Sequence, residues 1–288
     1  MVHWRKNLKR APVAPALLAM LVVTAYPMLY ALWLSLFRYD LRFPGERRFV
    51  GLENYLSVLS SETWWQALSN TLLITVASVS LELLLGFVFA LVMQRALIGR
   101  RLVRTAVLVP YGIITVVAAM SWRFAFDPTT GFVNALLGLE GAWLAQSGSA
   151  FFVIIQTEVW KTTPFMALLL LAGLTLVPED LLRAARVDGA NAWQRFFRVT
   201  LPQMRPVIGV ALLFRTLDAF RIFDTVFVQT RGAQGTETVS MVGYNALITR
   251  LNLGLGSAVS VLIFLCVLAI AALYLKGFGS DMSRREES

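Results

Sequence analysis

The stretch LVPEDLLRAARVDGANAWQRFFRVTLPQMRP, Leu176 to Pro206, is polar and basic, and it lies between two apolar runs at about 150–175 and 206–230. Each run is long enough to cross a bilayer, which takes about 20 residues. The signals inside the stretch are those of two short helices. Pro178 suits the start of the first, because its missing N–H is a donor that a first turn does not use. Glu179 and Asp180 follow, where carboxylates match the positive end of the helix dipole. Asp188-Gly189 is a break, since glycine takes up turn conformations that other residues resist. The second helix carries Trp193, Phe196 and Phe197 on its apolar face, and Pro202 is expected to end it. An interfacial linker is the plainer interpretation. A helix-turn-helix with unburied aromatics is suited to a protein partner.

The rest of the chain agrees with a membrane setting. Of its 288 residues 57% are hydrophobic and only 15% charged, against about 25% charged in a soluble domain. Apolar windows fall at about 12–37, 68–93, 103–125, 150–175, 206–230 and 255–276, so the expectation is an all-α membrane protein of six transmembrane helices in one domain. The N-terminus is basic and leads into an apolar stretch, as in a secretory signal. The apolar stretch exceeds the roughly 7–15 residues of a signal core, so it is expected to be a retained span. The outer segment 38–66 contains an amphipathic run ending in Trp64 and Trp65, which suit a membrane interface.

Lysine and arginine set the expected orientation. Sixteen fall on the side that holds both termini and the 176–206 loop, and six fall on the other. Both termini are therefore expected in the cytoplasm. In this setting the net charge of +9 marks basic cytoplasmic loops, not nucleic-acid binding. The lone Cys266 excludes a disulfide framework, and His3 is terminal, which removes histidine-based metal or catalytic centres. The phosphate-loop pattern is absent, so if ATP drives this protein another chain binds it.

The loop also resembles the coupling loop of permease subunits in binding-protein-dependent ABC importers. That pattern is E-A-A, two residues, D-G-A, then F and L-P. Here it reads Arg183-Ala184-Ala185, Asp188-Gly189-Ala190, Phe197 and Leu201-Pro202. Arg183 replaces the usual glutamate, which changes the sign of any ionic contact there. FVGLENY at 49–55, EVWKTTPF at 158–165 and FRIFDTVFVQT at 220–230 resemble the sugar branch, which includes maltose and glycerol-phosphate permeases. Together with RTAVLVPYGIITVVA, these segments resemble a permease of the mycobacterial type of trehalose importer.

The resemblance implies a MetI/MalF-like architecture and a non-catalytic subunit in the inner membrane. It implies a second homologous permease and a dimer of ABC ATPases that bind ATP and magnesium. It also implies an extracytoplasmic sugar-binding protein or lipoprotein that delivers a disaccharide. The ATPases would grip the coupling loop through Arg183, Ala184, Ala185, Asp188, Gly189, Ala190, Trp193, Phe196 and Phe197. By position, sugar contacts carry over to Glu158, Lys161, Thr162 and Phe165, with others near Arg215, Asp218 and Ile222.

RTLDAFRIFD, Arg215 to Asp224, adds a chemical argument. Arg215, Asp218, Arg221 and Asp224 alternate in sign inside an apolar window. A charge facing lipid would cost roughly 2.5–3.5 kcal/mol, so these four are expected to turn inward and pair along one helix. They form either a packing ladder or a polar lining. Carboxylates and guanidinium groups suit the hydroxyls of a sugar, and Phe220 offers a face for a pyranose ring. Glu82 is either a buried partner for one of these arginines or a residue near the end of its span, while Tyr26, Tyr111 and Trp122 read as packing or interface residues. Intramembrane acids would also suit an ion-coupled transporter, but that leaves the cytoplasmic helix-turn-helix without a purpose. An intramembrane enzyme finds no nucleophile–base arrangement here.

Overall fold

The computed structural model describes residues 14–95, 99–138 and 141–286. The basic residues Arg5, Lys6, Lys9 and Arg10, His3 and the first two residues of the expected first span lie outside them. In chain order the elements are α1 (Ala14–Leu34), β1 (Phe37–Arg38), β2 (Arg48–Phe49), α2 (Glu53–Leu59) and α3 (Glu62–Arg95). Then come α4 (Arg100–Gly112), α5 (Thr115–Ala125), α6 (Phe132–Leu137), α7 (Ser147–Thr175), α8 (Glu179–Val187) and α9 (Ala192–Arg195). A π turn at Phe196–Thr200 leads into α10 (Leu201–Ala219), followed by α11 (Asp224–Gln229), α12 (Val239–Tyr244) and α13 (Leu253–Glu286).

Among the described residues two helices are long and apolar enough to cross a membrane unaided, Glu62–Gln94 and Leu253–Gly277. Two bent pairs raise this to four if each pair counts as one span. One joins Arg101–Gly112 to Thr115–Ala125 at 92°, and the other joins Ser147–Thr175 to Glu179–Val187 at 71°. The window at 103–125 is therefore not one straight helix. Pro110 lacks the N–H that would bond one turn back, and the chain turns extended at Ile113.

The window at 206–230 is also broken. α10 stops at Ala219, Phe220 to Phe223 form a break, and α11 restarts at Asp224. The four alternating charges consequently do not wind round one helix. Arg215 and Asp218 share α10, Arg221 sits in the break and Asp224 opens α11. Pro202 does not end a helix either. It occupies the first turn of α10, where its missing N–H costs nothing, and the π turn carries the helical path up to it.

The chain forms two compact units. One draws on residues up to Trp65 and on Val242–Leu265. In it β1 and β2 pair antiparallel, with Phe37 opposite Phe49. Asn54 ties this hairpin down, its Nδ2 donating to the carbonyls of Ser35 at 2.7 Å and Phe37 at 2.9 Å. Gly254 lies against the Phe37 carbonyl so closely that a Cβ would not fit. The two tryptophans part company, since Trp64 is buried and Trp65 exposed; only the second is free to sit at an interface.

The other unit holds Gln66–Met241 and the chain from Cys266 onward. Its centre is α7, with 15 of its 29 residues buried. Small residues let neighbours approach α7, the usual device where lipid removes the hydrophobic drive for helix association. Gly86 on α3 meets Met166, and Gly173 on α7 meets Val207 on α10. α11 is fastened to α7 by Gln229, whose Nε2 donates to Thr157 Oγ1 at 2.8 Å.

Candidate functional site

A cavity of about 460 Å³ opens where α7 faces the break after α10. That volume lies within the range of small-molecule sites, about 300–1,000 Å³. Of the sequence candidates, Glu158, Lys161 and Thr162 line it from α7, spaced so that they share a face. Asp218, Arg221, Ile222 and Asp224 line it from the end of α10, the break and the start of α11. The break is what brings Arg221 and Asp224 to the same wall as Asp218.

Three candidates are not brought to the cavity. Phe220 is 1% exposed and packed away, so its ring cannot reach a sugar there. Phe165 stands behind the wall, stacked on Tyr111 at 5.5 Å. Arg215 is 1% exposed and lies beneath the wall. Four lining residues were missed: Tyr111, Thr115, Phe223 and Thr225. Tyr111 had a visible signal, an aromatic between Pro110 and Gly112 inside an apolar run. It lies under Lys161, whose Nζ is 5.6 Å from the ring centroid. Phe223 offers the aromatic face expected of Phe220, and only the break turns it inward.

Arg215 organises the charges below the cavity. Its Nε and Nη2 donate to Glu82 on α3 at 2.5 and 2.9 Å. Nη2 also donates to Glu158 at 3.2 Å, and Nη1 donates to Asp218 at 2.7 Å. Glu158 accepts from Thr225 across the break. Glu82 is fully buried, which makes it the arginine partner rather than a residue near the end of its span. The expected pairing is confined to this cluster. Among the described residues no ion pair takes up Lys161, Arg221 or Asp224, so these charges face the cavity together with the hydroxyls of Thr162 and Thr225.

The stretch 176–206 has the expected start and break, but its second helix is not closed by Pro202 and runs on through the π turn into α10. Pro178 is the cap before α8, and Gly189 turns the chain with φ +79°. Asn191 and Gln194 form a reciprocal capping box that starts α9. Arg183 is exposed and bonds Glu179 within its own helix at 2.7 Å. Trp193 and Phe197 stack in parallel at 5.6 Å, both exposed. Phe196 turns the other way and meets Phe87 of α3 edge-on at 5.7 Å, which anchors the loop. Ala184 and Ala185 lie in α8, Asp188 is its C-cap, and Ala190 lies between α8 and α9.

An apolar helical chain with a polar cavity inside it, and an exposed aromatic helix-turn-helix, defines a membrane transport subunit. Residues 82–278 match the family described as "Binding-protein-dependent transport system inner membrane component", and the chain belongs to that family. It is a non-catalytic permease subunit of the inner membrane. It is 57% identical over 276 residues to the trehalose transport system permease protein SugA of Mycobacterium tuberculosis (strain ATCC 25618 / H37Rv), covering 96% of this chain and 90% of that protein. It is 42% identical over 273 residues to the trehalose/maltose transport system permease protein MalF of Thermococcus litoralis, covering 92% and 91%. A crystal structure of a bacterial ABC transporter involved in the import of the acidic polysaccharide alginate shares the fold, with a TM-score of 0.79 at 24% identity over 98% of this chain and 96% of that one.

Proposed function

We propose that this chain is one of two permease subunits of an ATP-driven importer that moves trehalose across the inner membrane. The observation that carries the substrate is the 57% identity, over 96% of the chain, to a permease named for trehalose transport. The cavity chemistry supports it. Trehalose is neutral and covered in hydroxyls, and the wall offers carboxylates, cations, hydroxyls and the rings of Tyr111 and Phe223. On this reading Glu158, Lys161, Thr162, Asp218, Arg221 and Asp224 contact the sugar. Six crossings with both termini cytoplasmic put residues 176–206 on the cytoplasmic side, where two ATPase chains with bound ATP and magnesium grip the exposed faces of α8 and α9. A homologous permease completes the path and an extracytoplasmic binding protein delivers the sugar. Closure of the ATPase pair moves the loop, and the path alternates between outward and inward access.

The test is uptake of labelled trehalose with and without this gene, with unlabelled maltose as competitor. Uptake that collapses on deletion, returns on complementation and resists maltose supports the reading. Uptake that persists after deletion refutes it. A second substrate, maltose, is favoured by the 42% identity to a permease named for both sugars; strong competition by maltose would select it.

A further inference from the structure

Glu82 has no place in the cavity, yet its carboxylate is fully buried beside it. It makes two bonds to the Arg215 guanidinium, through Nε and Nη2. A guanidinium is a rigid planar fork, so two bonds on one edge fix the plane of the whole group. The remaining donors then have set directions. Nη2 reaches Glu158 and Nη1 reaches Asp218, and both of these carboxylates line the cavity. Glu82 also lies 2.7 Å from the hydroxyl of Thr162, a third wall residue. One buried carboxylate on α3 therefore stands behind three groups on α7 and α10 that face the cavity.

We propose that Glu82 is a positioning residue for substrate recognition, acting through Arg215 on Glu158 and Asp218 and directly on Thr162. This rests on the reading of the cavity as the sugar site. With Glu82 neutral, the full charge of Arg215 falls on Glu158 and Asp218, and their oxygens turn from the cavity toward the guanidinium. The sugar then loses acceptors that the wild type holds in place. A clamp that only joined α3 to α10 would use the same contacts but would leave sugar affinity unchanged once the protein had assembled.

The experiment is equilibrium binding of labelled trehalose to the purified permease–ATPase complex, without the extracytoplasmic binding protein, with melting temperature and subunit composition measured in parallel. Glu82→Gln should weaken binding about tenfold, the scale of one lost hydrogen bond to a charged group, in a complex of normal composition. Glu82→Asp, which keeps the charge, should restore part of the loss. If Glu82→Gln does not assemble, Arg215→Lys decides, because it keeps the charge and loses the fork; it should weaken binding similarly. Wild-type affinity in either assembled variant overturns the proposal alone. A wild-type complex that binds no trehalose overturns the sugar-site reading and the proposal with it.

Discussion

Replacing Arg215 by methionine and Glu82 by leucine together should cost less stability than the two single replacements added. The two side chains are 1% and 0% exposed and share two hydrogen bonds. Removing one partner of a buried pair leaves the other as an uncompensated charge, at about 3–5 kcal/mol. That is a large share of a typical total stability of about 5–15 kcal/mol. Asp218 adds little to this loss, since its side chain is 68% exposed and water can solvate it. Replacing Glu82 by leucine as well removes the orphaned carboxylate, so the double variant should be less destabilised than the sum of the singles by about 2–3 kcal/mol. The assay is equilibrium unfolding of the wild type, the two singles and the double in mixed detergent micelles. Singles and double that add within about 0.5 kcal/mol would refute the claim that the pair is a coupled, desolvated unit.

Three other outcomes are expected. Gly189→Pro places a residue locked near φ of about −65° where the chain needs φ +79°; the complex should still hydrolyse ATP but move less sugar per ATP, measured in reconstituted vesicles. Gly86→Ala puts a Cβ 2.8 Å from Met166 Cγ, and overpacking of this kind should lower stability by about 1–3 kcal/mol, seen as an earlier unfolding midpoint. The third concerns Asp127, whose carboxyl the backbone N–H of Thr130, with the hydroxyl and N–H of Thr129, holds well below the usual carboxylate range. A depressed folded value means that its contribution is complete above the unfolded value of about 3.9 and fades as pH falls through the lower one. Amide exchange at Thr129 and Thr130, corrected for intrinsic rates, should be unchanged from pH 7 to pH 5; loosening already at pH 5 would contradict the assignment.

Much of the helical layout and of the loop was legible from local signals. Composition marked the membrane, and hydropathy windows found the apolar helices. The proline, acid and glycine positions between Leu176 and Pro206 outlined two short helices, because caps and positive-φ turns are properties of a few adjacent residues. The α7 part of the cavity was legible for a similar reason: Glu158, Lys161 and Thr162 stand on one unbroken helix, and helical spacing puts them on one face.

The rest depended on contacts between elements distant in sequence. No glycine or proline stands between Arg215 and Gln229 to announce the break at Phe220–Phe223. The break is held by tertiary bonds, from Thr225 to Glu158 and from Thr238 to the Ile222 carbonyl. It buries Phe220 and exposes Phe223 to the cavity, whereas an unbroken helix would put these two residues, three apart, on one face. Glu82 and Arg215 are 133 residues apart, and the sequence offered Glu82 as a partner for an arginine without saying which one. The sequence by itself determined an apolar, helical membrane chain with a polar loop of short helices, because those features follow from local composition and short-range backbone preference; the permease and coupling-loop reading came from the resemblance to a known family. Only the tertiary structure decided which charges pair and which face the cavity, because desolvation makes every buried charge seek a partner but packing determines which partner is within reach.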